Sequence, residues 1–159
     1  MKLPIEEKHL FSKKHFLDEL AVSLGGYAAE KMIFDDITTG ASNDIFVATD
    51  IARSLVTKYG MSDKIGPVAL EGKEGAIFFG KDFYSERNYS EDVAKEIDSE
   101  VKKFMTDAQK KATELLKKNK KALETIASEL IEKETIERKE FDDILISSGI
   151  KLKKERDQI

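Results

Sequence analysis

The chain has 159 residues, 40% of them hydrophobic and 36% charged, which suits one domain with its own core and excludes disorder throughout. A formal net charge of −4 speaks against a nucleic-acid surface, and the absence of cysteine excludes disulfides, a thiol nucleophile and thiolate metal sites. No stretch approaches the ~20 apolar residues of a membrane helix, and the N-terminus lacks the pattern of a secretory signal.

Residues 1–11 read as an extended lead-in. Ser12 can cap a helix whose apolar positions are Phe16, Leu17, Leu20, Ala21, Leu24, Ala28, Met32 and Ile33. Gly25 and Gly26 fall in its middle, where each costs about 1 kcal/mol relative to alanine. We expect them to allow close approach by another backbone.

The second helix is expected over Ser42–Tyr59. Ile45, Ala48, Ala52, Leu55 and Tyr59 recur there at the three-and-four spacing that packs one stripe onto a core. Ser42 is the expected N-cap, Gly40 a flexible approach and Gly60 the stop. Asp44 falls in the first turn, at the edge of the apolar stripe. Its helical neighbours Gly40, Ala41, Val47 and Ala48 include no cation. A partly buried carboxylate so placed needs a partner from outside the helix: a backbone donor, a distant lysine or a metal ion. The plainer alternative is that Asp44 complements the helix dipole.

Residues 62–88 lack helical periodicity and carry Gly66, Gly72, Gly75 and Gly80 beside Phe78, Phe79, Phe83 and Tyr84. A loop this long points to function or mobility. Short strands are expected at Val68–Leu70 and Ala76–Phe79, and the aromatic cluster reads as core packing or a substrate path. Gly75 through Lys81 has the spacing of a phosphate-binding loop up to its lysine. Asp82 then stands where that motif needs Ser or Thr, and its charge would repel phosphate, so nucleotide binding is not expected here.

Ser90 can cap a long helix with Ile97, Val101, Phe104, Ala108, Ala112 and Leu115 on one stripe. Another begins at Asn119 and carries Leu123, Ile126, Ala127, Leu130 and Ile131. A third starts near Glu137 and is expected to bury Phe141, Ile144 and Leu145. The lysine pairs Lys102-Lys103, Lys110-Lys111, Lys117-Lys118 and Lys120-Lys121 read as solvated faces. Short connections at Asn119 and at 134–136 favour antiparallel neighbours. The fold class is mainly α and helical bundle-like, with one long, partly β loop at about 62–88.

Several motifs in one order carry a family resemblance. They are Leu24-Gly25-Gly26-Tyr27-Ala28-Ala29-Glu30, Thr38-Thr39-Gly40-Ala41-Ser42-Asn43-Asp44, Ala48-Thr49-Asp50-Ile51-Ala52 and Tyr59-Gly60-Met61-Ser62. Leu3-Pro4, Asn88-Tyr89-Ser90-Glu91 and the run from Leu130 to Ile136 agree with them. Together they resemble the peptidase domain of FtsH-type ATP-dependent zinc metalloproteases, over residues 3–146. The resemblance implies that residues 1–149 are the C-terminal part of such a domain and 150–159 a charged, flexible tail. It implies that Asp44 is the third zinc ligand. The chain departs at Tyr27, where the family usually has arginine.

A larger departure concerns the rest of the metal site. In the family a helical HExxH supplies two histidine ligands one turn apart and the glutamate that activates water. This chain has only His9 and His15, six residues apart, and neither is followed by glutamate. That separation points the rings to different faces of a helix, so both read as non-ligands. The HExxH segment precedes the Leu-Pro element in such proteases. The chain therefore reads as the portion C-terminal to it: a fragment, a split gene or a re-initiated frame.

For the complete protein the resemblance implies ATP-driven degradation of unfolded or membrane proteins by a homo-hexameric ring. Zinc would belong to the completed peptidase domain and ATP to a AAA module outside this chain. Membrane attachment would come only through N-terminal segments outside it, at the cytoplasmic face of the bacterial inner membrane. This chain alone is expected to be soluble, cytoplasmic, monomeric at micromolar levels, free of nucleic acid and inactive as a peptidase. It has no catalytic or cofactor-binding residue beyond the one metal ligand, Asp44. The alternative reading is a non-catalytic helical module for assembly or protein binding.

Overall fold

The computed structural model describes residues 10–70 and 89–152. In chain order it contains α1 (Lys13–Ser23), α2 (Gly25–Phe34), a single 3-10 turn (Thr39–Ala41), α3 (Ser42–Thr57), α4 (Glu91–Lys118), α5 (Lys120–Lys133) and α6 (Arg138–Ser147). Among the described residues there is no strand, and the mainly α class holds. The expected strand at Ala76–Phe79, the glycine-rich stretch ending at Lys81, the aromatic cluster, His9 and the end of the tail lie outside the described residues. The chain forms two compact units, residues 1–112 and 113–159, with their boundary inside α4.

In the first unit, Leu20 and Leu24, then Ala48, Ala52, Leu55 and Val56 of α3, and Ile97, Val101, Phe104 and Ala108 of α4 form one buried cluster. Apart from Val56, these are positions that the three-and-four spacing selects, because a helix facing one core buries one stripe. Ser12 caps α1 as expected, its hydroxyl accepting from the His15 N–H. Ser90 caps α4 in the same way, accepting from the Val93 N–H at 3.4 Å.

The first expected helix is in fact two. The chain bends at Leu24 (φ −87°, ψ 4°), which closes α1 and starts α2. Leu24 is buried, and the glycines after it carry the highest backbone entropy cost of continuing a straight helix. Among the described residues the expected close backbone contact is absent. A Cβ added at Gly25 would meet nothing within 4 Å, and one at Gly26 would meet only Asp44 Oδ2, at 3.8 Å.

α3 ends two residues before Tyr59, and the following loop satisfies its last carbonyls. The Met61 N–H donates to Leu55 O and the Leu70 N–H to Thr57 O. Val68–Leu70 is therefore not a strand: its backbone is spent on a turn at Gly66 and on the end of α3. Gly60 makes the reversal with φ +60°, as a helix stop requires. Tyr59, expected on the core stripe, lies past the helix end and stacks on Phe16 with ring centroids 5.3 Å apart.

In the second unit α5 and α6 are neighbours, and Lys133 Nζ bridges Glu129 and Glu140 across them. The expected burial of Phe141, Ile144 and Leu145 does not occur. α6 has no buried residue, Phe141 being 37% exposed and the other two half-buried. A short helix leaning chiefly on one neighbour covers its stripe from one side only. Ala127, Leu130 and Ile131 of α5 are likewise exposed, and so is Leu115 at the end of α4.

Candidate metal centre

The approach to Asp44 is built from a small set of side chains. Thr38 stands in extended conformation, and its hydroxyl accepts from the Gly40 N–H at 3.1 Å, capping the 3-10 turn. Ala41, not the expected Ser42, occupies the N-cap position of α3, with no side-chain capping bond. The leading 3-10 turn moves the cap upstream, so Thr38 does the work assigned to Ser42.

Glu30 of α2 reaches across to the same turn. Its carboxylate accepts from the Thr38 N–H at 3.1 Å and from the Thr38 hydroxyl at 3.0 and 3.2 Å. Gly26 lies one turn earlier on that face of α2, opposite Asp44 Oδ2.

Asp44 sits in the first turn of α3, as the spacing predicts, but it is exposed rather than partly buried. The half-buried Ile45 and the buried Ala48 take the inward direction, leaving the carboxylate to water. Among the described residues no ion pair or side-chain hydrogen bond involves Asp44. The backbone donor and the distant lysine expected as partners are thus absent there, and the metal and helix-dipole readings stand.

As a donor, an exposed carboxylate at a helix start suits a divalent cation. One oxygen donor is not a zinc site, however. Among the described residues no three His, Cys, Asp or Glu side chains come together as a metal-binding group. His15 is engaged elsewhere: it stacks on Phe11 with ring centroids 4.7 Å apart, and its Nε2 lies 3.9 Å from Glu19 Oε2. The donor set fits zinc only with further ligands from outside the described residues.

Tyr27 projects to neither Asp44 nor Glu30 by any bond. It lines a cavity of about 220 Å³ with Leu24, Ile45, Lys102, Met105, Thr106 and Gln109.

Glu30 and Thr38 are the site residues that sequence reading missed. The Thr38-x-Gly40 spacing does signal a hydroxyl-capped turn. Nothing in local periodicity pairs Glu30 with a residue eight positions away.

The described residues thus form a helical fold with one open carboxylate at a helix start, preceded by a threonine-capped turn. The model of peptidase family M41 matches residues 1–144, and the chain belongs to that family. It is 48% identical over 145 residues to the ATP-dependent zinc metalloprotease FtsH of Thermotoga maritima, covering 91% of this chain and 24% of that protein. It is 48% identical over 143 residues to the protein of that name from Kosmotoga olearia, covering 90% of this chain and 22% of the relative. The chain spans about a quarter of the length of these curated relatives.

Proposed function

We propose that this chain is the C-terminal part of an FtsH-type peptidase domain, over residues 1–149 with 150–159 as a tail, and that Asp44 is a zinc ligand in the completed site. The observation that carries this is the open Asp44 carboxylate: exposed, without a cationic partner among the described residues, and held at the start of α3. The two remaining protein ligands and the general base would come from an HExxH helix outside these 159 residues, which contain no such motif. Zinc, when bound, lowers the pKa of its water and polarises the scissile carbonyl. Asp44 contributes negative charge and a fixed oxygen. The helices of the first unit supply the rigid support, and the chain itself supplies no base.

The complete protein would degrade unfolded or membrane proteins as a hexameric ring, drawing on ATP bound by a AAA module. It would be anchored by other segments at the cytoplasmic face of the bacterial inner membrane. Among the described residues no helix is long and apolar enough to cross a membrane. The relatives' names, as ATP-dependent zinc metalloproteases, support the chemistry.

The test is Asp44→Asn in a polypeptide extended to include the HExxH segment. The amide is nearly isosteric, so the fold should stand while zinc affinity and peptide cleavage fall together by orders of magnitude. Were Asp44 only a complement to the helix dipole, the change would cost about 0.3–1 kcal/mol of stability and leave cleavage intact. Wild-type zinc content with normal turnover sinks the assignment.

A further inference from the structure

We propose that Glu30 is a positioning residue for Asp44, acting through the Thr38 turn; this rests on Asp44 being a metal ligand. The carboxylate of Glu30 takes both donors of Thr38, the N–H at 3.1 Å and the hydroxyl at 3.0 Å. The same hydroxyl accepts from the Gly40 N–H, so a single acidic group on α2 fixes two consecutive links of the turn. That turn continues without a break through Thr39–Ala41 into α3, whose first turn holds Asp44.

The face of α2 that makes the clamp also adjoins the ligand. Gly26 and Glu30 are four residues apart and share that face, and the Cβ position of Gly26 lies 3.8 Å from Asp44 Oδ2. A Cβ at Gly40 would stand 3.1 Å from the Thr38 hydroxyl and 3.5 Å from Glu30 Oε1, so the turn closes tightly around the clamp. α2 therefore holds the start of α3 at one place and leaves open space beside the carboxylate at another. An exposed aspartate in a first turn can otherwise sample several rotamers and frayed backbone states. Fixing the backbone beneath it is how a surrounding group raises the affinity of a metal ligand it never touches, and removing such a group typically costs 10–100-fold in metal affinity.

Two measurements separate positioning from general stability. In the 159-residue chain, amide exchange should speed up at least tenfold at Thr38 and Gly40 in Glu30→Ala, with Ala52–Val56 unchanged. In the polypeptide carrying the HExxH segment, zinc affinity measured by chelator competition should fall 10–100-fold in Glu30→Ala. Glu30→Gln should restore most of it, because one amide oxygen can accept both Thr38 donors. Thr38→Val should weaken zinc and Thr38→Ser should not, which keeps the test usable if Glu30→Ala unfolds. Equal losses in Glu30→Gln and Glu30→Ala would overturn the proposal, since charge and not the hydrogen bonds would then matter. Unchanged zinc affinity in Glu30→Ala, beside a large loss in Asp44→Asn, would overturn it while leaving the ligand assignment intact. Unchanged affinity in Asp44→Asn would remove the ligand assignment and the positioning role together, whatever the exchange data show.

Discussion

The Ser62 hydroxyl donates to Glu100 Oε2 at 2.6 Å inside the first unit, where Ser62 is 2% and Glu100 5% exposed. Ser62 also accepts from the Ile65 N–H, so one hydroxyl joins the loop after α3 to the middle of α4. Ser62→Ala should cost about 1–3 kcal/mol, the usual penalty for depriving a buried polar group of its donor. A double variant, Ser62→Ala with Glu100→Leu, should recover part of that loss, because the buried carboxyl is gone too. Urea unfolding of the four chains measures the coupling; strictly additive effects would show that the bond contributes nothing of its own.

Two glycines should respond to alanine with opposite sign. Gly60 has φ +60°, and an added Cβ would stand 2.9 Å from Pro67 Cα, a backbone atom that must move. Gly60→Ala should therefore lose about 1–2 kcal/mol or more. Gly25 has open space around its Cβ position, so Gly25→Ala should gain about 0.4–1 kcal/mol by restricting the unfolded chain. Thermal and urea midpoints of both variants decide it, and a stabilised Gly60→Ala would contradict the backbone argument.

Acid titration should pick out Asp63. Its hydrogen bond and charge interaction with Lys13, 2.9 Å away, hold its carboxyl below the ordinary value of 3.8. A carboxylate depressed in the folded state contributes stability that is fully present above its unfolded value and is lost as pH falls through the folded one. In Lys13→Met, the Asp63 carboxyl should titrate at higher pH than in the wild type by NMR, and the acid limb of the stability curve should flatten. The group is fully exposed, so salt should weaken the effect. An identical Asp63 titration in wild type and Lys13→Met would refute the pairing.

By itself the 159-residue chain should bind zinc weakly and leave an unfolded casein-like substrate intact. One carboxylate cannot match a three-ligand site, and among the described residues no three His, Cys, Asp or Glu side chains gather as a metal-binding group. Chelator-sensitive cleavage by this polypeptide alone would refute the division of the site between segments.

Local order was legible in the residues: the stripe from Ile97 to Ala112, the caps at Ser12 and Ser90, the reversal at Gly60, and Asp44 in a first turn. Each depends on neighbours within about one helical turn, where side-chain spacing and backbone preference act directly. The bend at Leu24 did not show, because a leucine at that spacing also suits a continuous helix; its burial and the glycines after it decided the matter together. Nor did the exposure of Asp44, which depends on Ile45 and Ala48 taking the inward side. The clamp from Glu30 to Thr38 and the bond from Ser62 to Glu100 join separate elements, α2 to the turn before α3 and the loop after α3 to α4. Such pairings arise only when packing has brought those elements together, since no periodicity within either partner records the distance to the other.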